Sequence, residues 1–146
     1  MIPSDVSLDP LRKLSKLRSL ALPALTTEVQ TLALFELQSL EELKVIFDGD
    51  MISQGASTPN GYKSLKRLRS LSLANSHIPA GVAEWLIKNR KLRHLQLRGE
   101  KGGFVETGLS SLHAIPSLKV IDLINHSAPE ACLTFNKQAG ADICRQ

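Results

Sequence analysis

Aromatic side chains are scarce, with one Trp, one Tyr and four Phe making up 4% of 146 residues. That leaves no platform on which successive bases of a single strand could stack. Cysteine is nearly absent. Cys132 and Cys144 both fall close to the end of the chain, and two late cysteines do not make a disulfide framework. They read as thiols, buried or at the surface. Together with His126 they lack zinc-site spacing, so no metal site is expected. No apolar run of about 18 residues occurs, so no membrane span is expected. Met1-Ile2-Pro3-Ser4-Asp5 shows no basic region followed by an apolar stretch, and no signal peptide is read there. An intracellular protein, cytoplasmic or nuclear, is therefore the expectation. The one sequon, Asn125-His126-Ser127, would matter only in a secreted protein.

Catalytic motifs are missing as well. Gly99-Glu100-Lys101-Gly102-Gly103 lacks the spacing of a phosphate-binding loop. Neither G-x-S-x-G nor H-E-x-x-H is present. His77, His94, His113 and His126 are dispersed along the chain. No enzyme and no cofactor are expected. The formal charge of +4 is mildly basic, far from the dense charge of a dedicated nucleic-acid binder.

Leucine, by contrast, recurs in phase. Leu17-Arg18-Ser19-Leu20-Ala21-Leu22, Leu68-Arg69-Ser70-Leu71-Ser72-Leu73, Leu92-Arg93-His94-Leu95-Gln96-Leu97 and Leu118-Lys119-Val120-Ile121-Asp122-Leu123 are apolar at the first, fourth and sixth places. A fifth copy, Leu43-Lys44-Val45-Ile46-Phe47-Asp48, fits at the first two, with Asp48 in place of the last leucine. Taking Leu20, Ile46, Leu71, Leu95 and Ile121 as anchors, the spacings are 26, 25, 24 and 26 residues. Alternation such as Leu20/Leu22 is the period-two signal of a short strand with one buried face. Between the strands the spacing turns helical. One helix is predicted from Thr27-Glu28 through Val29, Leu32, Ala33 and Leu37. A second opens at Ile78-Pro79-Ala80 and carries Val82, Trp85 and Leu86. A third covers residues 104–115. Residues 48–61 are rich in turn formers and read as a loop. Short strands alternating with helices make the fold class α/β.

Five in-phase copies resemble the leucine-rich-repeat superfamily, whose units of 20 to 29 residues are built around L-x-x-L-x-L. The resemblance covers most of residues 11–126. The place where that family usually carries Asn or Cys holds Leu25, Met51, Ser76, Glu100 and His126. The repeats are therefore irregular, similar to those of intracellular plant immune receptors and of F-box proteins with leucine-rich repeats. The segment Ser64 to Leu73, followed by Ile78-Pro79, looks more like the former. The resemblance implies one solenoid domain of about five repeats. Parallel strands would line its concave side, with helices and loops on the convex side. Residues 1–13 and 127–146 would serve as flanking caps around repeats at 14–126. It also implies protein–protein recognition, with the chain as the recognition part of a larger assembly.

Residues between the buried leucines face the concave side. They are Ser19, Ala21 and Pro23; Val45, Phe47 and Gly49; Ser70, Ser72 and Ala74; His94, Gln96 and Arg98; Val120, Asp122 and Ile124. Phe47, His94, Gln96, Arg98 and Asp122 form the expected contact surface for another protein, since interfaces favour aromatic and Arg anchors. Arg98 and Asp122, on adjacent strands, are placed to pair. A second feature is a basic residue two places before each anchor: Arg18, Lys44, Arg69, Arg93 and Lys119. Two places further upstream stand Lys16, Glu42, Arg67, Lys91 and Ser117. Such a stripe reads as a solvated edge with apolar stems laid along the surface, or as a site for an acidic partner, with nucleic acid a lesser alternative. The remaining alternative is a structural slice of a longer solenoid.

Overall fold

The computed structural model describes residue 3 and residues 5–25, 33–34, 36–47, 65–74, 86–98, 112–124 and 129–146. Each leucine-anchored segment forms a short strand: β1 (Ser19–Leu25), β2 (Glu42–Phe47), β3 (Ser70–Ala74), β4 (His94–Arg98) and β5 (Val120–Ile124). A sixth, β6 (Cys144–Arg145), follows the one complete α-helix among the described residues, α1 (Pro129–Ala139). The six form a single all-parallel sheet in which strand order equals chain order. Parallel neighbours cannot be joined by a hairpin, so the chain returns to the same edge of the sheet before every strand. One face is apolar: Leu43, Val45, Leu71, Leu95, Leu97, Ile121 and Leu123 are all buried. Among the described residues no helix is long and apolar enough to cross a membrane.

How the chain approaches each strand explains the three-residue leucine spacing. Leu34, Leu37 and Leu40 precede Leu43; Leu86, Asn89 and Leu92 precede Leu95; Leu112, Ile115 and Leu118 precede Ile121. Successive N–H groups bond back three residues: Leu37 to Leu34 (3.1 Å), Leu40 to Leu37 (3.2 Å), Leu92 to Asn89 (3.0 Å) and Ile115 to Leu112 (3.0 Å). Such tight turns bring every third side chain to one side, and all of these residues are buried. Asn89 stands in a leucine place and is fully buried. Of the three expected helices, residues 33–34 and 86–88 are helical, and the third ends in a 3-10 turn, Leu112–Ala114. Residues 27–32, 78–85 and 104–111 lie outside the described residues, as do the expected loop at 48–61 and the sequon.

The second repeat requires a correction. Leu43, not Ile46, pairs with Leu20 on one side and with Leu71 on the other. The repeat unit is therefore Leu40-Glu41-Glu42-Leu43-Lys44-Val45. A slip of three residues is odd, so it exchanges the two faces of the strand. Val45, expected on the polar face, is 1% exposed, while Lys44 and Glu42 are exposed.

The cysteines are a second correction. Cys132 of α1 and Cys144 of β6 are bonded to each other, with Cα atoms 5.3 Å apart. Gly140, at φ 68°, turns the chain after α1, a backbone conformation that glycine adopts without penalty. Asn136 then holds the returning segment. Its Nδ2 donates to the Cys144 carbonyl (2.8 Å), and its Oδ1 accepts from the N–H groups of Ile143 (2.9 Å) and Cys144 (2.7 Å). Phe135, also on α1, is buried in the core. The other end of the sheet is barer: Leu20 and Leu22 are only half-buried and Leu14 is 47% exposed.

Candidate recognition face

The sheet's other face is polar because the residues between the buried ones are polar, and parallel register stacks them in rows. Ser19, Glu42, Ser70, His94 and Val120 form one row. Ala21, Lys44, Ser72, Gln96, Asp122 and Arg145 form the next. Neighbouring strands lie ~4.8 Å apart, so polar groups in a row, or diagonally between adjacent rows, can reach one another. Ser72 Oγ donates to Gln96 Oε1 at 2.8 Å. His94 Nε2 donates to Asp122 Oδ2 at 2.7 Å. Arg145 Nε donates to Asp122 Oδ1, and Arg145 Nη2 to Oδ2 at 3.4 Å.

Asp122 is the centre of this network, with its side chain 18% exposed. Its carboxyl is held below the ordinary value of 3.8, chiefly by the Arg145 hydrogen bond; burial opposes the shift, and the His94 hydrogen bond adds to it. The same contact raises the Arg145 guanidinium. An ionised carboxylate only accepts, so His94 must carry a proton on Nε2.

Of the expected contact residues, His94 is bonded to Asp122, and Gln96 stands opposite Asp122 on the neighbouring strand. Arg98 aligns with Ile124 and is exposed. The expected Arg98–Asp122 pair is not formed; Asp122 takes His94 and Arg145 instead. The backbone of Phe47 closes β2 opposite Leu25, and its side chain lies outside the described residues. The expected contact set left out Arg145, Ser72, which the sequence already put on the concave side, and Lys44, which it put in the edge stripe. Lys44 becomes visible once the second repeat is framed on Leu43. Arg145 follows no leucine and left no signal.

The edge where the chain enters the sheet changes with the same correction. The row there is Arg18, Glu41, Arg69, Arg93 and Lys119, tied by N–H groups of Glu41, Arg69, Arg93 and Lys119, each donating to the preceding member's carbonyl at 2.8 Å. Lys44 does not belong to it, and Glu41 takes that place. Glu41 Oε1 lies 3.9 Å from Arg18 Nε, so the stripe is interrupted by an opposite charge.

Comparison with protein-family models, with curated proteins and with solved structures finds no match to this chain. Geometry alone therefore carries the functional reading. Among the described residues no group of three or more His, Cys, Asp or Glu is placed to hold a metal ion. What the polar face offers is a set of donors and acceptors fixed in position by one another.

Proposed function

We propose that the chain is an irregular leucine-rich-repeat solenoid, one domain with residues 1–13 and 127–146 as caps, that recognises another protein through the concave face of its sheet. The supporting observation is two cross-strand hydrogen-bonded groups on that face, Ser72 with Gln96 and His94 with Asp122 and Arg145. Side chains already held in one geometry lose less freedom when a partner docks. Arg98, exposed beside these groups, supplies the long cationic anchor that interfaces favour. The function is binding without catalysis, with no cofactor, and the chain serves as the recognition part of a larger assembly.

The test is affinity capture from extract at low and moderate salt, with wild type and with Gln96→Ala/Arg98→Ala. A protein retained at both salts by the wild type and lost with the double variant supports the reading. Retention indifferent to the double variant refutes it. Location is a separate proposal. The sequence points to intracellular residence through its want of a signal peptide; the Cys132–Cys144 bond favours an oxidising setting, where disulfides persist. Alkylation of the protein before cell lysis, followed by mass analysis, separates the two.

A further inference from the structure

The entry edge of β3 and β4 carries a charge block that the recognition face does not use. Residues 65–74 and 86–98 hold eight of the chain's 18 Lys and Arg and none of its 14 Asp and Glu. Register gathers six of them. Lys66, Arg67 and Arg69 precede β3, and Arg90, Lys91 and Arg93 stand at the same places before β4. All six are exposed. The turns carrying them are anchored by Leu68 and Leu92, both fully buried. The Arg69 carbonyl accepts the N–H groups of both Arg93 (2.8 Å) and His94 (3.0 Å), which locks the two columns side by side.

The neighbouring repeats show what these places do when the fold alone decides. Ser39 and Ser117 occupy the place of Arg67 and Lys91, and each staples its repeat to the one before. Ser39 Oγ donates to the Leu17 carbonyl (2.6 Å) and Ser117 Oγ to the Leu92 carbonyl (2.7 Å). At β3 and β4 cations stand where a serine would make that bond. Like charges about one strand spacing apart repel, and none of the six meets a carboxylate among the described residues. Gln38, Ser39 and Glu41 close the block on one side; on the other, Pro116 and Ser117 end its first two rows and Lys119 continues the third.

We infer that this block is a docking site for an extended acidic segment of a partner protein. It is two strands wide and three residues deep, so its footprint is roughly 10 Å across, from strand spacing and residue rise. Same-side carboxylates of an extended acidic run recur about every 6.6 Å, so two of them fit within it. One turn of duplex needs about 34 Å, and neither segment contains Phe, Tyr or Trp on which bases could stack.

The experiment uses a fluorescein-labelled peptide of ten glutamates, read by anisotropy on the full chain. Arg67→Ser/Lys91→Ser installs the residue that neighbouring repeats carry, so the variant keeps its fold and its melting temperature does not fall. Binding is expected to weaken about tenfold, or ~1.4 kcal/mol, while Lys16→Ser/Arg18→Ala, which removes two cations outside the block, changes it less than about twofold, since Arg18 is already paired with Glu41. The inference is overturned if the peptide does not bind, or if the two double variants lose binding equally. A ten-nucleotide thymidine strand, or vesicles rich in phosphatidylserine, binding more tightly than the peptide with the same variant dependence also overturns it, reassigning the block to nucleic acid or membrane.

Discussion

Asp122 accepts hydrogen bonds from side chains on both neighbouring strands, and its pKa makes the consequence testable. A carboxylate whose folded pKa lies below its unfolded value contributes stability that is complete above the unfolded pKa of 3.8. That contribution is lost as pH falls through the lower, folded value. Asp122→Asn should therefore cost about 1 kcal/mol near pH 7, the scale of a partly exposed ion pair. The gap to wild type should close as pH falls below 3.8 and through the lower, folded value. Urea unfolding of both proteins across that range measures it, and a gap independent of pH would contradict the assignment. The His94–Asp122 bond makes a second claim. Nitrogen-15 NMR of neutral His94 should find the proton on Nε2, not Nδ1. The two faces are tested by Leu95→Ala and Ser72→Ala. Losing a fully buried leucine should cost roughly 2–5 kcal/mol, whereas the serine gives up one part-buried hydrogen bond worth about 1 kcal/mol. Equal costs would mean that the faces are misassigned.

Among the elements, the strands were legible and their frame was not always so. Leu40, Leu43 and Ile46 are evenly spaced by three, so both Leu40–Leu43 and Leu43–Ile46 satisfy the leucine pattern. Only pairing with Leu20 and Leu71 chooses between them. That single ambiguity moved Lys44 from the edge to the polar face and hid Glu41 in the edge row. The last strand was illegible for a different reason. β6 has two residues and no leucine; it is placed by Asn136 and by the Cys132–Cys144 bond, neither of which leaves a periodic trace. Cys132→Ser/Cys144→Ser should cost roughly 2–4 kcal/mol, the range for a short bonded loop. Because β6 carries Arg145, the same variant should raise the Asp122 pKa toward its ordinary value, observable by carbon-13 NMR of the carboxyl. A loss of stability without that shift would mean that β6 holds its place unaided.

Across the molecule, each strand pairs only with the strands before and after it in the chain. The recurring leucines foretold this plan. The face chemistry they left open depends on register, which a period alone does not specify. A sheet wired in chain order also has a mechanical character. Pulled by its two ends, it presents its strands to the load one after another, so it should come apart in successive small rips in place of one large rupture. The stretch between Cys132 and Cys144, 12 residues apart, is shielded from the load by its covalent bridge. It withholds about 40 Å of contour. An optical trap should recover that length, and no more, when a reductant is added.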